Sequence, residues 1–202
     1  SYSSDGLDFM IPYYQVISDK SDITIAVRNI SDRGAGLEGN VRNLHGESNN
    51  LRNIDLFYFN NDKEHRSNYL DGPKSRWAFG IRDTFGKKEN IWMTVDWAKT
   101  SDSLVLRDIP GDITSIGNQR KQNLKQNISI NGVFKNIKIK ISQEGYQTLN
   151  PLLTNGYKKA PSIDIEYFNK FKKISIHERV NITEFRAENL HGFFGNQLNN
   201  NK

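Results

Sequence analysis

The sequence predicts an all-β protein, a two-sheet antiparallel β-sandwich or jelly roll, and three observations carry that expectation. Apolar and polar residues alternate with period two in one segment after another, the mark of strands with two unlike faces. The composition, with roughly two dozen Asn and about twenty Ile against only six Ala, withholds the best helix former and supplies β-branched and turn residues. Turn pairs rich in Gly, Asn and Pro separate the alternating runs, and none of these runs adjoins a helical pattern of the length a βαβ unit needs.

The elements follow in chain order. Residues 9–17 form a weak strand candidate, and Ile23, Ile25 and Val27 then alternate with Thr24, Ala26 and Arg28. Residues 31–50 read as a long loop, because Gly34-Ala35-Gly36-Leu37-Glu38-Gly39 is followed by further Gly and Asn. This spells a dinucleotide fingerprint, but the fingerprint works only where a helix N-terminus faces the pyrophosphate, and no helix pattern follows. After a weak strand at 54–60, Trp77, Phe79 and Ile81 alternate with Arg76, Ala78, Gly80 and Arg82. Ile91, Met93, Val95 and Trp97 then alternate with Trp92, Thr94 and Asp96. Weak strands at 103–109 and 126–131 precede Asn131-Gly132, the pair best suited to a tight hairpin turn, which is expected to turn the chain into Ile137, Ile139 and Ile141. Ile163, Ile165 and Tyr167 and then Ile174 and Ile176 continue the pattern. A weak strand at 179–183 closes it, unless Thr183 caps a short C-terminal helix through Glu184, Phe185 and Leu190. About ten strands make one domain over residues 1–202, with 199–202 a frayed tail. The expected core is Trp77, Phe79, Ile81, Met93, Val95, Ile139 and Ile163.

The chain has 202 residues, no Cys and a net charge of +5. Thiol nucleophiles, disulfides and Cys-ligated metals are therefore excluded. No run approaches the ~18 apolar residues of a spanning helix and no signal peptide is evident, so a membrane span is not expected. The positive charge is regional, with eleven Lys or Arg against three acids between residues 118 and 173. That stretch could meet an anionic polymer, although a solvated strand face explains it better. His45, His65, His177 and His191 lack ligand spacing, catalytic motifs are absent, and neither a metal nor a cofactor is expected. Three Asn-x-Ser/Thr triplets match the chance expectation and carry no weight.

Strand phase gives the site expectation. If the Trp77 and Met93 rows face the core, Arg76 and Arg82 share the opposite face with Trp92, Thr94 and Asp96, over a shallow floor of Ala78 and Gly80. A stacking ring, small floor residues and charged hydrogen-bonding groups suit a sugar ligand. The adjoining 31–50 loop adds Asp32, Arg33 and Asn40. The expected function is thus a non-catalytic, lectin-like or adhesin-like binding domain at the cell surface or outside the cell, recognising a glycan or glycoprotein. The alternatives are a polysaccharide hydrolase or lyase drawing on Asp83, Glu89, Asp96 or His65, and a basic domain that binds nucleic acid or an anionic surface. A chain starting at Ser1 mildly suggests a domain cut from a larger surface protein.

Overall fold

The computed structural model describes residues 2–3, 6–47, 49–87, 90–109, 111, 114, 116, 122–153, 155–172 and 174–187. The expectations for Glu89, His191, Leu190 and the 199–202 tail lie outside them. The strands are β1 (Tyr2–Ser3), β2 (Gly6–Ser18), β3 (Ser21–Ile30), β4 (Gly34–His45), β5 (Asn50–Phe59), β6 (Arg76–Gly86), β7 (Ile91–Thr100), β8 (Asn123–Phe134), β9 (Ile137–Thr148), β10 (Tyr157–Phe171) and β11 (Ile174–Ala187). Two short helices interrupt them, α1 (Lys63–Asn68) between β5 and β6 and α2 (Val105–Asp108) between β7 and β8. Each strand pairs antiparallel with the next, giving one sheet in the order of the sequence. The all-β antiparallel expectation holds, while among the described residues no second sheet stands against the first to make a sandwich.

The connections are unequal at the two ends of the sheet. At one end of the sheet the strands are joined by connections of only two to four residues, 19–20, 46–49, 87–90, 135–136 and 172–173. Those at the other end span 31–33, 60–75, 101–122 and 149–156. We call these the short-turn and long-loop ends.

Four expected elements are corrected. Asn131 and Gly132 lie inside β8, opposite Lys140 and Ile139, and the hairpin turns at Lys135-Asn136, where Lys135 adopts a φ of 50°. The 31–50 segment is β4 with its flanking turns, not a loop. Its glycines serve the sheet, for a Cβ at Gly36 would run into the ring of Phe59 on β5. Residues 105–108 are helical. Thr183 sits within β11, where its hydroxyl meets that of Ser162 at 2.8 Å, so no helix starts there.

The largest correction concerns the core. The register confirms which residues share a face: Leu56, Phe79 and Lys99 form one cross-strand row, and Ile54, Ile81 and Trp97 another. Yet none of the seven residues expected in the core is fully buried, and the apolar face leaves Ile25, Val27, Leu37, Leu56 and Ile130 between 42% and 55% exposed. The opposite face holds Arg28 at 3%, Glu38 at 1%, Asp55 at 2% and Arg76 at 0%. A period of two sorts residues into faces but does not say which face meets solvent; that choice assumed water outside. Here Val105, Leu106, Ile109 and Ile116, from the 101–122 connection, pack on Ile30, Phe57, Phe59 and Ala78 of the charged face.

Candidate functional site

The charged face is built strand by strand from inward-pointing polar residues that satisfy one another. Arg28 on β3 reaches Asp8 on β2 at 2.5 Å and Glu38 on β4 at 2.7 Å. Asn40 donates to Asp55 at 2.6 Å and to Asn53 at 3.0 Å, and Arg42 pairs with Asp22 at 2.9 Å. Further along, Thr94 meets Ser129 at 2.6 Å and Arg179 meets Asp164 at 3.0 Å. Cross-strand pairs of this kind join neighbouring strands while keeping the charges compensated.

At the long-loop end these pairs converge on Arg76, the first residue of β6. Its guanidinium binds Asp62 at 2.9 Å, Asp102 at 2.7 Å and Asp108 at 3.0 Å, tying the 60–75 and 101–122 connections to the sheet. Arg33 adds contacts to Asp62 at 3.2 Å and Glu64 at 2.9 Å. Asp62 also caps α1, accepting the His65 amide at 3.0 Å. Burial works against ionised Asp62, but the His65 amide and the Arg76 and Arg33 charges outweigh it and hold the carboxyl below its ordinary value. Asp102 is likewise held low, burial being overcome chiefly by Arg76 and then by Ser101 and the Leu104 amide. Burial, reinforced by Arg76, pushes His65 down toward the neutral imidazole. Neither nitrogen of its ring has a hydrogen-bond partner among the described residues.

Next to this knot a polar cavity of about 280 Å³ opens between Asp55, Gly80, Arg82, Asp96 and Lys125, with Ile116 at one side. Lys125 lies 3.7 Å from Asp96. The structure therefore brings Arg82 and Asp96 together, as their cross-strand pairing requires. Thr94 and the half-buried Trp92 share their face. Arg76, Arg33 and Asn40 are buried and engaged with neighbouring side chains, and Asp32 is exposed in the 31–33 turn. Sequence reasoning missed Asp62, Asp102 and Asp108, which lie in connections, where no periodicity marks them. Arg28 was readable as a charged residue opposite the apolar row of its own strand, whereas Glu38 was not, because its strand reads as a loop. No group of His, Asp and Glu able to hold a metal ion occurs among the described residues.

No family model matches the chain. Among curated relatives, the LPS-assembly protein LptD of Pseudomonas aeruginosa (strain LESB58) is 27% identical over 169 residues, covering 83% of this chain and 18% of the relative. LptD of Saccharophagus degradans is 26% identical over 205 residues, covering 94% of this chain and 23% of the relative. LptD of Neisseria gonorrhoeae is 28% identical over 165 residues, covering 80% and 19%. The chain thus spans about a fifth of the length of these relatives.

These likenesses overturn the expected function. The relatives carry the name of a lipopolysaccharide-assembly protein, not of a lectin, an adhesin, a polysaccharide-degrading enzyme or a nucleic-acid binder. The expected glycan, glycoprotein or anionic-polymer partner falls with it. The expected surface location is compatible with relatives named for lipopolysaccharide assembly. Among the described residues no helix is long and apolar enough to cross a membrane, which leaves crossing by strands untouched. The expectation of no membrane span rested on helices alone.

Proposed function

We propose that this chain is a stretch of the wall of an outer-membrane β-barrel that takes part in lipopolysaccharide assembly, with its apolar face against lipid and its charged face toward the lumen. The observation that carries the reading is the division of the sheet into these two faces. Outer-membrane barrels alternate apolar outward and polar inward, and aromatic girdles border the apolar band. Tyr58 and Trp77 stand on the apolar face near the long-loop end and Phe85 and Phe134 near the short-turn end, with aliphatic rows such as Ile25, Leu56, Val95 and Ile128 between them. Eight residues separate Trp77 from Phe85, about 26 Å along the strand at ~3.3 Å per residue. A tilt of ~40° reduces that to about 20 Å of membrane depth, close to the ~25 Å apolar band of such barrels.

The unequal connections agree, since barrels of this kind have short periplasmic turns and longer extracellular loops. The long-loop end accordingly faces outward from the cell. The relatives' name supplies the process, and the closing of the sheet by further strands belongs to the proposal. Under this reading the segment around α2 narrows the lumen near its outer mouth.

Depleting the protein in its host and measuring lipopolysaccharide at the cell surface, by antibody binding to intact cells, tests the functional half. Surface lipopolysaccharide should fall and recover with the wild-type copy. Unchanged surface lipopolysaccharide after complete depletion would refute the assignment.

A further inference from the structure

A buried ion pair stands on the apolar face between β5 and β6, near the short-turn end. Asn53 of β5 pairs with Arg82 of β6, so the next position brings Arg52 beside Asp83, and both point to the apolar side. Arg52 Nε donates to Asp83 at 2.6 Å, and the His45 ring nitrogen lies 2.5 Å from the other carboxylate oxygen, which also accepts the Thr84 amide at 2.7 Å. The Asp83 carboxylate is wholly covered, while Arg52 retains 33% of its side-chain exposure. The Arg52 guanidinium lies over the Phe85 ring, 5.3 Å from its centroid, and His45 packs against the same ring at 5.5 Å.

The geometry points to a phospholipid headgroup site: we propose that Arg52 binds the phosphate of a phospholipid in the leaflet on the short-turn side. This rests on the barrel-wall reading above. Three features support it. Depth is the first, because Arg52 shares the level of Phe85, in the aromatic girdle where headgroups lie. Pre-organisation is the second. Nε is committed to Asp83 and the guanidinium plane is fixed over Phe85, while the two terminal amino groups have no partner among the described residues and keep the fork that fits phosphate oxygens. The third is local charge: Asp83 is hidden beneath the cation it orients, so the group presents its positive end outward. A strand-pinning ion pair alone would not require a guanidinium with its terminal donors free.

The test uses the complete barrel purified in a zwitterionic detergent, with phosphatidylglycerol added and retained lipids counted by native mass spectrometry. Wild-type protein should hold one phosphatidylglycerol that Arg52→Gln holds about fivefold more weakly, the scale of one Arg at a membrane surface. Arg52→Lys, which keeps the charge without the fork, should fall between them. Arg179→Gln, on the opposite face, should match wild type. Inorganic phosphate at millimolar concentration should not displace the lipid; if it does, the site takes free phosphate and the lipid assignment is overturned. Equal retention by Arg52→Gln and wild type also overturns it. Should Arg52→Gln fail to fold, the comparison rests on Arg52→Lys, and retention equal to wild type then refutes the need for the fork. A fluorophore on Leu56→Cys, quenched by bromine-substituted lipid tails in vesicles, separates the two failures. Quenching with unchanged lipid retention condemns this site alone, whereas absence of quenching condemns the wall reading.

Discussion

Replacing Arg76 with leucine would leave three carboxylates facing a cavity that their shared cation had filled. Asp62 is wholly buried, and Asp102 and Asp108 retain 15% and 16% of their side-chain exposure. Removing one partner of a buried ion pair costs about 3 to 5 kcal/mol. The lower figure applies, because Arg33 stays with Asp62 and the other two carboxylates are partly hydrated, so we take about 3 kcal/mol. The loss is local to the connections that Arg76 ties down. Amide exchange at Leu104, Arg107, Asp108 and Ile109, whose N–H groups are bonded within the 101–109 segment, reads it directly. About 3 kcal/mol corresponds to exchange roughly a hundredfold faster at these amides, with the β-sheet amides unchanged. Arg76→Lys should show a smaller effect, because one ammonium cannot span three carboxylates in the same fork. If Arg76→Leu leaves these four amides within threefold of wild type while the sheet stays folded, the ionic tether is not what holds the segment.

The depressed carboxyls of Asp62 and Asp102 set a pH dependence: their contribution is fully present above the unfolded carboxylate value, about pH 4, and is lost as pH falls through the lower folded values. Protection of the 101–109 amides, corrected for intrinsic exchange, should therefore be flat from pH 8 to 5 and weaken only below about pH 4. Gly36→Ala drives a methyl into the Phe59 ring and should cost about 1 to 3 kcal/mol, read as a lower denaturant midpoint. Leu56→Arg, on the apolar face, should cost about 2 to 4 kcal/mol in a bilayer. Thr24→Arg, on the charged face, should cost far less when measured by the same unfolding titration. His65→Leu should change stability by less than about 1 kcal/mol, since the ring makes no hydrogen bond among the described residues.

Strands and their phase were legible where alternation is clean, because alternation is a local property; the glycine-rich β4 reads as a loop and residues 105–108 as a strand. The rows through Trp77, Phe79 and Ile81 and through Met93, Val95 and Trp97 are those the sequence implies. What the sequence does not encode is the solvent beyond each face. In water the aliphatic rows would be the core; here Arg28, Glu38 and Arg76 are buried and Leu56 and Val27 are exposed. The signal the sequence offered was the pairing of opposite charges on the non-apolar side of neighbouring runs, Arg82 with Asp96. Asn131-Gly132 misled because a turn-compatible pair need not form the turn: the strand runs on to Phe134 and the chain turns at Lys135-Asn136. Half of the candidate site was visible, since Arg76, Arg82 and Asp96 share a face by phase. The carboxylates that bind Arg76 come from connections, and only the folded chain brings them together.

The central claim is that the aliphatic face meets lipid and the charged face does not. Because the chain contains no Cys, single cysteines can be placed without altering the background. Val27→Cys, Leu56→Cys and Ile130→Cys sample the first face, and Thr24→Cys, Asn127→Cys and Ser129→Cys the second. Each would carry an environment-sensitive fluorophore in the complete barrel, reconstituted into vesicles with bromine-labelled acyl chains. The account predicts strong quenching at the first three positions and none at the second three. Equal quenching on both faces, or quenching confined to Thr24, Asn127 and Ser129, would contradict it.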